Sequence, residues 1–266
     1  MAGGTHRFLR RWGVDEPDDT QAALAARYLR HRRVLYLVMF LLVPGAATRL
    51  DLPTPEGAPR YLAAVVLALL LAEAVAALWK PRGPRVASLT PRRWQDLVPR
   101  WAVALLSVLA VVTSALVVMG LLMQPWADRL DLRARGFTPE FAHEIARPPG
   151  VLLLVGVAVG LAAVLAVVWL ALRRGAVGDP ATDAALRTRS ARVAVGLGMV
   201  WMAWLLTRAF GRLSALRAAG HHEAPGWLVV VAGADLAGLA GLLVAVLGWI
   251  WVTNVSGRVP YVRSVG

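Results

Sequence analysis

An all-α polytopic membrane protein, a six-helix transmembrane bundle with short interfacial helices, is what this sequence predicts. Three observations carry the prediction: six apolar stretches, an arginine distribution that alternates between the connections, and tryptophans at the stretch ends. Hydrophobic residues make up 58% of the 266 and charged ones 17%, with a mean hydropathy of +0.59. A water-soluble globule of this size does not carry that balance. The chain has no cysteine, which removes disulfides, thiolate metal sites and cysteine nucleophiles together.

A helix needs roughly 20 apolar residues to cross about 30 Å of hydrocarbon. The stretches are 34–48, 61–79, 101–123, 151–172, 193–210 and 227–252. The first is short and holds Pro44 and Gly45, so it needs the helical residues before it and a snorkelling Arg49. The chain thus divides into a cytoplasmic arm at 1–33, a six-span domain at 34–252 and a cytoplasmic tail at 253–266. The polar arm is too long for an ordinary signal peptide, so the first span is read as retained.

Six crossings put both termini on one side, and lysine and arginine choose which. The arm holds seven, the 80–100 connection six, the 173–192 connection five and the tail two, against nine in the three other connections. The rich side is cytoplasmic, giving a multi-pass protein of the cell membrane with both termini inside. Trp79, Trp94, Trp101, Trp126, Trp169, Trp227, Trp249 and Trp251 fall at or near span ends, where an amphipathic indole is most stable. Lys80 is the one lysine among 29 basic residues; with the alanine, glycine and valine excess, this is the composition of a GC-rich, bacterial coding sequence.

In the arm, Asp18, Asp19 and Thr20 precede good helix formers from Gln21 to Arg33, a cytoplasmic helix running into the membrane. Its arginines serve as a topology anchor, and the same charges fit anionic lipid at the cytoplasmic face. Thr90 and Pro91 start a short interfacial helix with Trp94, Leu97 and Val98 on one face. Thr138 and Pro139 do the same on the outer side, with Phe141 and Ile145 on one face and Pro148 and Pro149 at the end. A shift of 92 residues aligns spans two and three with four and five, which would be a parallel repeat; chance similarity among such common residues explains the identities equally well. Small residues four apart, Gly156 with Gly160, Ala194 with Gly198, and Ala237 with Gly241 and Ala245, allow close helix approach.

Ionisable groups at hydrocarbon depth are the candidate functional residues, because each costs at least about 2.5 kcal/mol to insert and needs a partner or water. They are Glu73, Arg208 and Asp235. Counting about 1.5 Å per residue puts Arg208 and Asp235 at similar depth, which predicts an ion pair, with Trp204 four residues earlier stacked on the guanidinium and Trp201 one turn further in. Glu73 falls about 9 Å deeper than Asp235 and has no assigned partner, unless Arg82 or Arg174 reaches it. Either these groups position helices, or Glu73 and Asp235 line a polar path.

No phosphate-binding loop, zinc motif, nucleophile elbow or haem-ligating histidine pair is present, so no catalytic, cofactor-binding or metal residue is assigned and the chain is read as not an enzyme. His143, His221 and His222 in the outer connections are solvated by default, with a metal site as the less favoured reading. Basic residues spread over loops exclude nucleic acid as a partner. The expected partners are the bilayer and a membrane or ATPase subunit. The leading expectation is a transport-related component, a small carrier or permease-like subunit; the alternative is a noncatalytic membrane scaffold or regulator.

Overall fold

The structure, a computed structural model, describes residues 2–14, 16–49, 60–78, 85–86, 94–132, 134–146, 150–173, 176–177, 180–233 and 235–254. These form helices α1 (Ala2–Arg11), α2 (Asp19–Arg49), α3 (Arg60–Leu78), α4 (Trp94–Leu97), α5 (Arg100–Leu122), α6 (Gln124–Ala127), α7 (Pro139–Ala146), α8 (Gly150–Arg173), α9 (Pro180–Gly220), α10 (Gly226–Ala232) and α11 (Asp235–Thr253). A 3-10 turn (His221–Glu223) follows α9, and two-residue strands β1 (Arg85–Val86) and β2 (Ala176–Val177) pair antiparallel. The regular structure among the described residues is helical apart from this ladder. Among the described residues, three helical segments are long and apolar enough to cross a membrane: Arg100–Ala127, Gly150–Arg173 and Pro180–Glu223. Val65–Ala76 and Gly238–Trp251 are shorter apolar stretches.

The start of α2 follows from its sequence. Asp18 Oδ1 accepts from the Gln21 amide at 2.6 Å, and Gln21 Oε1 accepts from the Asp18 amide at 3.0 Å. This reciprocal box satisfies two donors that the first helical turn leaves open. The Thr20 hydroxyl donates to the same carboxylate at 2.6 Å. The Gln21 amide first, then the Thr20 hydroxyl, hold the Asp18 carboxyl below its ordinary value of 3.8. A lowered folded-state pKa gives stability that is present above the unfolded value and lost as pH falls through the folded one. Hydrogen-exchange protection of the Gln21 amide is therefore expected to drop as pH falls below 3.8, and Asp18→Ala to abolish that dependence. An unchanged profile in the variant would refute the box. From Asp19 the helix continues without interruption through Pro44 and Gly45 to Arg49, so the expected boundary at residue 33 lies within one helix.

α9 is the centre of the bundle. It packs along α5, α8 and α11 and is buried on nearly every side between Thr182 and Ala209, its charged residues included. Its 41 residues reach about 60 Å, twice the hydrocarbon thickness. Here the sequence reading needs correction: most of the expected 173–192 connection is the first three turns of this helix, which also runs on past the expected end at 210. α8 buries Gly150, Leu153, Val157, Gly160, Val164, Val167 and Ala171, a strict alternation of three and four, the spacing of a helix seam. The small-residue positions are used as expected. A methyl on Gly160 would lie 2.4 Å from Trp201, one on Gly198 2.6 Å from Val164, and one on Gly241 2.7 Å from Leu206.

The single span expected at 227–252 is two elements, α10 and α11, with Gly233 in a turn between them. The short helix expected at Thr138 is present: Phe141 donates its amide to the Thr138 hydroxyl at 3.3 Å, and Ile145 is buried. Of the one expected from Thr90, α4 is described, with Leu97 and Val98 buried; Thr90 and Pro91, like Pro148 and Pro149, fall outside the described residues. A second small core joins α1, α2 and the start of α9 through Leu9, Trp12, Val14, Ala25, Ala184 and Ala185.

The ladder bears on the possible duplication. It pairs Arg85 with Val177 and Val86 with Ala176, so a shift of 91 residues exchanges the strands and maps the ladder onto itself. Any antiparallel pair has such a local two-fold axis, and its shift is one residue short of the 92 that aligns the expected repeat. The pseudo-symmetry stops at the next layer, where α8 lies along α9 while α3 lies along α2.

Candidate functional site

The ionisable residues of the interior gather at one end of the bundle. Arg32 and Tyr36 are one turn apart on the same face of α2, Glu73 projects from α3, and Ser190 projects from α9. Glu73 is fully buried and ion-paired to the equally buried Arg32. The Tyr36 hydroxyl donates to its Oε1, and the Ser190 hydroxyl donates to Oε2 at 2.8 Å. Arg32 Nε donates to the Tyr36 oxygen at 2.8 Å, closing a ring of contacts around the carboxylate. Arg189, next to Ser190, lies within electrostatic reach of Glu73 and sets its guanidinium 5.6 Å from the Phe8 ring of α1.

One turn before Ser190, Arg187 Nε donates to Asp183 at 2.5 Å while its NH1 reaches the carbonyls of Ala171 at 3.3 Å and Leu172 at 3.5 Å. Those carbonyls belong to the last turn of α8, where unsatisfied oxygens and the negative end of the helix dipole favour a cation. Arg192 Nε does the same for Leu97 at the end of α4, at 3.2 Å. At the opposite end of the bundle Arg135 reaches the Ala219 and Gly220 carbonyls that finish α9, at 3.4 and 3.3 Å. Arg212 reaches Ile145 at 2.7 Å and Glu144 at 3.0 Å, in the last turn of α7. Much of the arginine excess inside the protein thus ties helix ends to neighbouring helices.

Glu73 is the one sequence candidate that the structure places in this network. Its partner is Arg32, from the expected arm; Arg82 and Arg174 fall outside the described residues. Arg208 is half-buried on α9, and Trp204 is buried with its ring 5.3 Å from Trp201. The expected pairing of Arg208 with Asp235 involves a side chain outside the described residues. Next to Arg208, the Thr207 hydroxyl donates to the Gly238 carbonyl at 3.3 Å, one turn beyond Asp235. Thr207 lies 17 residues along α9 from Ser190, which places the Glu73 level and the Asp235 level at least about 25 Å apart, not the 9 Å expected from sequence. The figure of about 9 Å takes Trp79 and Trp227 as the two interfaces, about 30 Å apart, whereas α3 and α9 meet at Glu73 and Ser190.

Sequence reasoning missed Arg32, Tyr36, Asp183, Arg187 and Ser190 as interior residues. The i, i+4 spacings of Arg32 with Tyr36 and of Asp183 with Arg187 were the available signal. Chemically, the network is a closed set of donors around one acceptor. The Glu73 carboxylate faces an arginine, a phenol and a hydroxyl, and its lack of exposure leaves no room for a substrate atom. Among the described residues no group of three or more His, Cys, Asp or Glu is arranged to hold a metal ion. No protein family matches the chain, and no curated protein or solved structure shows significant similarity to it.

Proposed function

We propose that the protein is a six-span integral membrane protein with both termini cytoplasmic, acting as a noncatalytic scaffold or regulatory subunit. The observation that carries this reading is the inversion of polarity between surface and interior. Leu37 and Leu41 of α2, Val111 and Leu122 of α5, Leu165 of α8 and Leu243 and Leu247 of α11 are exposed, while Arg32, Glu73 and Arg187 are buried. Apolar faces of this extent suit lipid and would aggregate in water. The ends of the chain support an even number of crossings, because Arg11 of α1 donates to Asn254 just after α11, at 2.9 Å. With the arginine asymmetry of the connections, that end is the cytoplasmic one.

A small carrier or permease-like subunit is the competing reading, and it calls for intramembrane acids around a shared midplane site. The roughly 25 Å between the levels of Glu73 and Asp235, and the enclosure of Glu73 by Arg32, Tyr36 and Ser190, favour a role in holding helices together.

The cysteine-free sequence makes the test direct. Single cysteines at Arg11, Asn254 and the exposed outer residue Arg129 are treated with a membrane-impermeant maleimide on intact cells. Arg129→Cys is expected to label, and Arg11→Cys and Asn254→Cys only after permeabilisation; the reverse pattern overturns the topology. Purification in mild detergent is expected to retain a stoichiometric membrane partner. Solute uptake into liposomes by the purified chain alone would overturn the scaffold role.

A further inference from the structure

At the outer end of α9 lies an open cleft of about 770 Å³, within the size range of ligand sites. Its polar wall is Arg217, His221, His222 and Ser214, and its apolar wall includes Val229 and Ala232 of α10. No carboxylate stands among these lining residues. The acid next in sequence, Glu223, is held by Arg135 at 2.7 Å. His221 has φ of 46°, a left-handed conformation uncommon for a residue other than glycine, and its ring meets Phe137 edge-on at 5.9 Å. Phe137 is itself stacked on Phe141 at 4.8 Å, so the turn that carries both histidines is buttressed by this aromatic pair.

We propose that this cleft binds an anionic phospholipid of the outer leaflet, the phosphodiester against Arg217, His221 and His222 and the glycerol and upper acyl chain against Val229 and Ala232. The division of the cleft matches the division of such a lipid. A guanidinium and imidazole N–H groups donate to phosphate oxygens, and a guanidinium does so with two donors at once. The apolar wall begins two residues after Trp227, an exposed indole at the start of α10, where a membrane interface places its headgroups. The site is independent of the scaffold assignment, and its place in the outer leaflet rests on the proposed topology.

The test is native mass spectrometry of the intact protein released from nanodiscs of phosphatidylcholine with one-fifth phosphatidylglycerol. The wild type is expected to retain one phosphatidylglycerol that Arg217→Gln combined with His222→Gln loses, with at least a fivefold fall in occupancy. Val229→Trp, which fills the apolar wall at an exposed position and leaves the cations in place, is expected to lose the same lipid. Arg27→Gln with Arg30→Gln, at the other end of the bundle, is expected to keep it. Equal occupancy in the wild type and both cleft variants would overturn the proposal. So would protection of the cleft by millimolar inorganic phosphate with no lipid retained, which would make the ligand a soluble anion.

Discussion

Replacing Glu73 by alanine is expected to destabilise the protein by about 3–5 kcal/mol, the cost of stranding a buried charge. Arg32 is 1% exposed and has the Glu73 carboxylate as its ion-pair partner, so removing the acid leaves a guanidinium desolvated in the bundle interior. The Ser190 and Tyr36 hydroxyls lose their acceptor in the same step. Arg32→Ala is expected to cost a similar amount, because the carboxylate is then the stranded group. The two changes are far from additive. Replacing both residues by apolar side chains of similar volume, as in Arg32→Met with Glu73→Leu, is expected to bring stability back near the wild type or above it. Glu73→Gln falls between, since its amide oxygen still accepts from Ser190 while the ion pair is gone. Equilibrium unfolding in mixed detergent micelles reads all four variants. An alanine variant within about 0.5 kcal/mol of the wild type would mean that the pair is solvated, and the account of the network as a helix tie would fail.

The cost of that pair bears on how the structure relates to its sequence. Helices whose partners are lipid on one side and apolar helix on the other announce themselves: α5 and α8 lie within two residues of the expected apolar stretches, and α7 begins at the Thr138 cap. α9 does not. Hydropathy reads Asp183, Arg187, Arg189 and Arg192 as a solvated connection, because a transfer scale assigns each charge its cost without its partner. In the fold each of them has one: Asp183 has Arg187, Arg187 the end of α8, Arg189 the ring of Phe8, and Arg192 the end of α4. Partners more than 90 residues away, such as Leu97 for Arg192 or Ser190 for Glu73, leave no trace in a single sequence. Depth counting failed for the same reason. The count assumed that every helix ends at the lipid boundary, and α9, at about 60 Å, runs well past it. What could be read locally was the spacing of Arg32 with Tyr36 and of Asp183 with Arg187, which places each pair on one helical face without saying what that face meets.

Gly160→Ala is expected to cost about 1–3 kcal/mol, against a small gain for Gly211→Ala on the neighbouring helix. Between apolar helices in lipid, packing rather than water exclusion supplies the association energy, so the effect of a methyl group depends on what it meets. At Gly160 it meets the Trp201 indole, with Cδ1 at 2.4 Å and Nε1 at 2.5 Å, and the Met202 methyl at 3.1 Å. Met202 can move aside, as a flexible thioether does. Trp201 is constrained: its Nε1 donates to the Gly156 carbonyl at 2.9 Å, one turn along α8, and its ring lies against Trp204 at 5.3 Å. Moving the indole to admit the methyl breaks the interhelical hydrogen bond and disturbs the ring pair, whereas holding it keeps the overlap. Either α8 backs away from α9 or the tryptophan pair repacks, and both lose contact along the alternating three-and-four seam. Gly211 lies on the same helix as Trp201 with open space around it, so its methyl meets nothing and the change restores helix propensity, worth up to about 1 kcal/mol. Opposite signs from one substitution type at two glycines, measured by the same unfolding titration, would show that close approach between α8 and α9 is a built contact. Equal effects at the two positions would mean that the seam is loose enough to take a methyl, and the bundle would then be held chiefly by its polar ties.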